Sequence, residues 1–239
     1  MSKKVKKPIP IYIGILHQDN VHVAVANKIV EMIMYCRKTK KYEPTILYSK
    51  ITGADHNRNV IVKNFLKSNC KWLIMMDDDN PCLKNPLELI ELNKDVISCP
   101  TLMFRGEETT TLAFNAYKRV GRNRWRTLTY KGEGLFEMDR TGAGCIIIKR
   151  KVLEKVKQPF ASKLNPKTGE RFLGEDIYFS DKAKKAGFRI WGHWNYVCSH
   201  FKTIDLLAIA NLVATVQLAE REGKNTDDLV PGIKIKRYG

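Results

Sequence analysis

From Lys71 to Pro81 the chain reads Lys-Trp-Leu-Ile-Met-Met-Asp-Asp-Asp-Asn-Pro. The apolar run from Trp72 to Met76 has the length of one buried strand, and it stops at three consecutive carboxylates followed by a turn-forming Asn-Pro pair. Three acids at the end of a strand repel one another unless something cationic offsets them. Hard divalent ions take oxygen ligands, so Mg²⁺ or Mn²⁺ suits such a site. In an open α/β sheet, ligands also collect beyond the carboxyl ends of strands. Taken alone, the same stretch is equally a charged surface turn after a core strand.

The elements around this strand alternate. Strands are expected over 9–16, 44–48, 72–76 and 96–99, with helices over 21–37, 57–69 and 86–93 between them. That order predicts a largely parallel, doubly wound sheet. After Pro100 the pattern changes. Segments 109–114 and 124–130 read as antiparallel strands, and Cys145 to Ile148 as a strongly apolar one. A helix is expected over 151–156, a loop over 165–169 and a second helix over 176–186, closed by Gly187. Short strands over 188–192 and 196–199 and a long helix over 203–222 complete the chain.

With 239 residues, 44% of them hydrophobic and 28% charged, the chain has a globular composition and enough length for one large α/β domain. The basic start runs directly into a short strand, so no signal peptide is expected, and 206–218 is too short and too polar to span a bilayer. None of the six cysteines forms a Cys-x-x-Cys pair. That spacing predicts reduced, buried thiols in a cytoplasmic protein rather than disulfides or a zinc site. The net charge is +17, and without seven terminal cations (Lys3, Lys4, Lys6, Lys7, Lys234, Lys236 and Arg237) the body keeps an excess of ten. Such a surplus favours polyanionic partners without choosing among nucleic acid, anionic glycan and membrane surface.

A P-loop, a dinucleotide fingerprint in the early half, a nucleophile elbow and the zinc-deaminase cysteine pair are all absent. Two further signals accompany the acidic triplet. Gly174-Glu175-Asp176 opens a helix, where negative charge is stabilised whether or not it has a chemical role. His200 follows a short apolar strand, as a structural histidine or a ligand.

The order of these signals is an apolar strand ending in Asp-x-Asp, Gly142-Ala143-Gly144 before an apolar strand, Gly-Glu-Asp opening a helix, then a histidine. It resembles the metal-dependent GT-A glycosyltransferases, in particular the broad inverting family numbered two and related viral or phage enzymes. Arg58-Asn59 matches that family's Ala-Arg-Asn step, and the likeness spans roughly residues 10 to 202. The family's Pro-Thr-Tyr-Asn after the first strand is replaced by Leu16-His17-Gln18-Asp19-Asn20, which leaves the nucleotide open.

The resemblance implies an α/β fold of GT-A type: a Rossmann-like, mostly parallel sheet with helices on both faces and a small antiparallel acceptor-side portion. It implies one domain over 9–222, with a nucleotide-sugar half (9–100) and an acceptor half (101–222), between a basic tail over 1–8 and a polar basic tail over 223–239. The implied reaction transfers a sugar from a nucleotide diphosphate donor, a UDP-sugar first, to a hydroxyl. Asp79, Asp77 and His200 would hold Mn²⁺ or Mg²⁺, the imidazole favouring Mn²⁺. Asp176 would be the general base, with Glu175 assisting. Arg58, Asn59, Asp77, Asp78, Gly142 and Gly144 would line the donor site, Arg58 through phosphate or through an acid facing it. The dense basic stretch 117–126 holds Lys118, Arg119, Arg122, Arg124, Trp125 and Arg126. Its cations and aromatics suit a nucleic-acid acceptor such as a hydroxymethylated pyrimidine in DNA, with a saccharide acceptor as the rival. Trp191 and Trp194 offer stacking faces or core packing. Two readings from other classes stay open: a metal-dependent nuclease and a non-catalytic basic binding module.

Overall fold

A strand buried on both faces cannot alternate apolar with polar residues, because each face needs its own core. Ile11, Ile13 and Ile15 pack into one apolar layer with Trp72, Ile74, Met76, Ile97 and Ile147. Their neighbours Tyr12, Leu16, Leu73, Met75, Val96, Ile146 and Ile148 pack into the other. These runs build the central sheet of the computed structural model, which describes residues 7–105, 111–122, 124–202 and 206–223.

In chain order the elements are β1 (Ile9–His17), α1 (Val23–Thr39), β2 (Tyr42–Lys50), α2 (Ala54–Lys67), β3 (Trp72–Asp77), a 3₁₀ segment (Pro86–Leu92), β4 (Val96–Ser98), β5 (Leu102–Arg105), β6 (Thr111–Phe114), β7 (Ala116–Gly121) and β8 (Arg124–Thr127). They continue with β9 (Leu135–Met138), β10 (Arg140–Thr141), β11 (Cys145–Lys149), α3 (Arg150–Lys155), β12 (Lys163–Leu164), β13 (Arg171–Leu173), α4 (Glu175–Lys185), β14 (Ile190–His193), a 3₁₀ turn (Trp194–Tyr196) and α5 (Leu206–Arg221).

The seven-stranded sheet runs β2-β1-β3-β11-β4-β14-β9. The β1–β2, β1–β3 and β4–β14 pairs are parallel, whereas β11 runs antiparallel to both β3 and β4, and β9 antiparallel to β14. Helices cover both faces. Ile61, Val62 and Phe65 of α2 share one layer with Val152 and Leu153 of α3 and Phe179 and Ala183 of α4. Val25, Ile29 and Met32 of α1 join the other with the 3₁₀ residues Leu87, Leu89 and Ile90. Gly14 admits α2 to the sheet, since a Cβ there would overlap the Ile61 side chain. The architecture is therefore a mixed α/β fold with a large, mostly parallel sheet, as expected. A smaller sheet, β10-β7-β8, and the β5–β6 and β12–β13 hairpins stand beside it.

Two expected elements differ. Residues 86–93 form a 3₁₀ segment rather than an α-helix: Asn85 caps its start, Pro86 follows, and Asn93 turns left-handed after only seven residues. Residues 196–199 are not a strand of the sheet. The side chains of His193 and Asn195 accept backbone N–H groups and turn the chain at Trp194–Tyr196. The chain then leaves as a strap. Residues 203–205, most of both tails and positions 109–110 of the expected strand lie outside the described residues.

Candidate active site

The acidic triplet sits where β3 leaves the sheet. Asp77 is fixed from both sides: its backbone N–H donates to Gly144 O at 2.8 Å, and Arg58 Nη2 donates to its Oδ2 at 3.0 Å. Arg58 lies on α2 with its side chain 4% exposed. Its Nη1 donates to Ala143 O at 3.1 Å and its Nε to Glu175 Oε1 at 3.4 Å. One guanidinium thus joins the strand end, the Gly-Ala-Gly segment and the first turn of α4. Burial works against its charge, but Asp77 and Glu175 outweigh that and raise its pKa. Burial also pushes the Asp77 carboxyl up to about 6, against the pull of Arg58. Asp176, beside Glu175, accepts the Ile177 N–H at 2.7 Å. Burial first, then the Glu175 charge, raise its pKa above the usual carboxylate value.

Asp79 is reached from the other end of the chain. The strap runs antiparallel to residues 79–83, with Leu83 N donating to Val197 O, Ser199 N to Pro81 O and Phe201 N to Asp79 O at 2.9–3.0 Å. An extended strap alternates its side chains, so Cys198, His200 and Lys202 share one side. His200 Nε2 lies 3.5 Å from Asp79 Oδ2, and the Lys202 ammonium pairs with the same oxygen. Asn80 Nδ2 donates to the other oxygen at 2.8 Å. Burial alone would raise the Asp79 pKa, but His200 and Lys202 hold it below the usual value. His200 is raised in turn, chiefly by Asp79.

These residues fit a hard divalent ion. His200 Nδ1 lies 3.0 Å from Leu102 O, a carbonyl that can only accept, so Nδ1 carries the proton and Nε2 is left to face Asp79. A backbone carbonyl in that role is a common way to orient a ligating imidazole. Asp77 Oδ1 is buried and accepts no hydrogen bond, although it lies 2.9 Å from Arg58 as an ion pair. The Lys202 ammonium already places a positive charge on Asp79, at the oxygen an ion would use.

The remaining expected residues separate into three places. Asp78 lines the same pocket as Arg58, Asp77, Asp79 and Lys202, and its Oδ2 accepts the Gln18 N–H at 3.2 Å, tying the loop after β1 to the acidic turn. Asn59 spends its side chain on the backbone of Phe160, donating at 2.6 Å and accepting at 3.3 Å, and lines a different cavity. Gly142 and Gly144 are required by protein side chains: a Cβ at 142 would overlap Asn115 and one at 144 would overlap Asn80. Trp194 is 2% exposed and stacks on Phe136 at 4.1 Å, within the core. Trp191 packs beside the second core layer under Lys94 and Arg189. Of the basic stretch, Arg119, Arg122, Arg124 and Arg126 are exposed on the β7–β8 hairpin, Lys118 pairs with Asp139 at 3.7 Å, and the Arg140 guanidinium covers Trp125 at 3.6 Å.

Three contributors were not expected from sequence. Lys202 belongs to the site through the alternation Cys198-x-His200-x-Lys202, a signal present in the sequence. His17 and Asn57 line the pocket, and His17 Nδ1 and Asn57 Oδ1 are buried without hydrogen-bond partners. Nothing in a single sequence marks those two.

No protein-family model matches the chain, and no curated protein matches its sequence. Solved structures do resemble it. A197 from STIV is 18% identical, with a TM-score of 0.54 over 82% of this chain and 87% of that one. GalNAc-T7, solved with UDP, GalNAc and Mn2+, is 9% identical, with a TM-score of 0.52 over 84% of this chain. The chain spans 45% of the GalNAc-T7 chain, less than half its length. With the sheet order and the covered faces, these likenesses give the chain a GT-A-type, Rossmann-like fold.

Proposed function

We propose that this protein is a metal-dependent glycosyltransferase that moves a sugar from a nucleotide diphosphate donor to a hydroxyl group. The observation that carries this reading is the Arg58 joint, which brings Asp77 and the Glu175-Asp176 helix start together beside the Asp79–His200 corner. Buried polar atoms of His17 and Asn57 without hydrogen-bond partners, both on residues lining one pocket, suit a polar ligand such as a nucleotide. GalNAc-T7 was solved with UDP, GalNAc and Mn2+, which makes a UDP-sugar and Mn²⁺ the first donor and ion to test.

Asp79 and His200, with Asp77 behind them, would hold the ion. A divalent ion bound there offsets the charge that gathers on the diphosphate as the glycosidic bond breaks. Arg58 neutralises Asp77 and Glu175, allowing acids to lie close without forcing each other to protonate. Lys202 supplies a second positive charge at the same edge. Asp176 takes the proton from the acceptor hydroxyl, and its raised pKa makes it a stronger base than an ordinary carboxylate.

The β7–β8 hairpin supports a polyanionic acceptor. Lys118 and Arg126 stand opposite each other across the strands, and Asp139 offsets Lys118 while Arg126 stays exposed. With Arg119, Arg122 and Arg124 exposed beside them, the hairpin suits a phosphate backbone. DNA bearing a hydroxymethylated pyrimidine is the acceptor we favour. A base within a duplex would have to flip out for this chemistry.

The test is release of nucleoside diphosphate from a panel of nucleotide sugars with Mn²⁺ or Mg²⁺, with and without hydroxymethylated DNA. Asp79→Ala should abolish turnover. Asp176→Asn should retain donor binding and lose transfer by roughly 100-fold or more. Cleavage of plain DNA without any donor would transfer the case to a nuclease.

A further inference from the structure

Four of the six cysteines come from four distant segments and meet directly behind the acidic turn. The sulphurs of Cys82, Cys99 and Cys198 all lie within 4.8 Å of one another. The Cys145 side chain adjoins this trio, interacting with Cys99 and Cys198. All four are free thiols and buried. The backbone builds the cluster: Cys82 faces Cys198 across the strap, and Cys99 N donates to Cys145 O at 2.9 Å. We propose that Cys82, Cys99, Cys145 and Cys198 form a structural site for one thiophilic divalent ion, zinc, which fastens the strap to the acidic turn.

Ligand chemistry separates this site from the acidic one. Thiolates select zinc, whereas carboxylates suit Mg²⁺ or Mn²⁺. A tetrahedral ion with Zn–S bonds of about 2.3 Å holds its sulphurs about 3.8 Å apart, inside the 4.8 Å that bounds the Cys82, Cys99 and Cys198 sulphurs, and Cys145 would move in as the fourth ligand. A cluster of several irons needs its thiolates farther apart. Binding one Zn²⁺ releases up to four thiol protons to solvent and leaves a buried site of net charge near −2. A buried cation lies close in the chain fold: Lys28 on α1, which also pairs with Glu31, reaches Leu83 O at 3.4 Å, one residue from Cys82.

The position gives the site its purpose. Cys82 lies three residues after Asp79, Cys198 two before His200, and Cys145 directly after Gly144, whose carbonyl holds Asp77 N. An ion on these sulphurs fixes the turn, the strap and β11 to one another. The proposal does not depend on the transferase reading, since it concerns metal content and stability.

The experiment uses the full chain purified under reducing conditions. Elemental analysis should find about one zinc per chain, and X-ray absorption a sulphur-only shell at about 2.3 Å. Cobalt exchanged into the chain should give thiolate charge-transfer bands. Cys99→Ser and Cys198→Ser should lose zinc and lower the Tm. If those variants fail to fold, chelating the wild-type chain should lower its Tm and added zinc should restore it. Asp79→Ala should keep its zinc. The proposal falls if the reduced chain takes up neither zinc nor cobalt, or if its absorption shell contains nitrogen and oxygen. It falls equally if Asp79→Ala abolishes the zinc, because the ion then belongs to the acidic site. Disulfides in the unreduced chain, with no metal taken up after reduction, overturn it in favour of a cross-linked cluster.

Discussion

Removing the Arg58 guanidinium leaves Asp77 without its counter-charge and Glu175 with only Arg171, 4.0 Å away. Truncating one member of a buried ion-pair network costs roughly 3–5 kcal/mol. Arg58→Met should therefore destabilise the chain on that scale in urea titration, and Arg58→Lys should recover only part, since a point charge cannot reach two acids and a carbonyl at once. In the proposed site, Asp77 would also make ion binding pH-dependent. Its carboxyl is raised to about 6 by burial, so it is protonated below that value and ionised above it. Mn²⁺ affinity, followed by electron paramagnetic resonance, should fall as pH drops through about 6. The stability linkage has the opposite sign: the raised pKa favours the folded state below the ordinary carboxylate range, and that contribution is lost as pH rises through about 6.

At the scale of elements, the site is a junction of β3, the start of β11, the first turns of α2 and α4, and the strap after β14. The Gly144 side of β11 meets Asn80 so closely that a Cβ would displace its amide, and that amide holds Asp79. Gly144→Ala should thus cost about 1–3 kcal/mol through overpacking. It should also weaken Mn²⁺ binding, although the residue offers no ligand atom. Isothermal titration of the variant with Mn²⁺ checks the second effect separately from the first. The strap itself could not be read as an isolated strand. Its backbone hydrogen bonds run to Asp79, Pro81 and Leu83 on one side and to Pro100 on the other, so its short apolar run is satisfied by segments about a hundred residues away.

Across the whole molecule, a net charge of +17 shares the chain with a site built from acids. The exposed arginines of the β7–β8 hairpin give part of that charge a defined surface. Replacing Arg122, Arg124 and Arg126 by Gln should reduce the slope of log K against log salt for duplex DNA by up to about 3. Donor binding should be unchanged, because these residues do not line the donor pocket. An unaltered salt slope would remove the hairpin from the account of the acceptor. Among the described residues no helix is long and apolar enough to cross a membrane.

The sequence by itself determined the sheet strands β1, β3 and β11 and the acidic step at the end of β3. Runs such as Ile11–Leu16 and Trp72–Met76 are buried on both faces, so their identity shows without any partner. It also marked Asp77, Asp79, Asp176 and His200 as one set, through their order along the chain. Tertiary structure decided what those residues touch. Of the two roles expected of Arg58, phosphate or an acid, the fold displays the acids; Asn59 braces Phe160, and Gly142 and Gly144 make room for asparagines. The cysteines show the difference most plainly. Their spacing argues against a metal site, because a Cys-x-x-Cys pair is a local signature. Sheet pairing and the strap bring Cys82, Cys99 and Cys198 together, with Cys145 beside them. Proximity made by long-range backbone pairing leaves no periodic trace in a sequence; only the folded chain displays it.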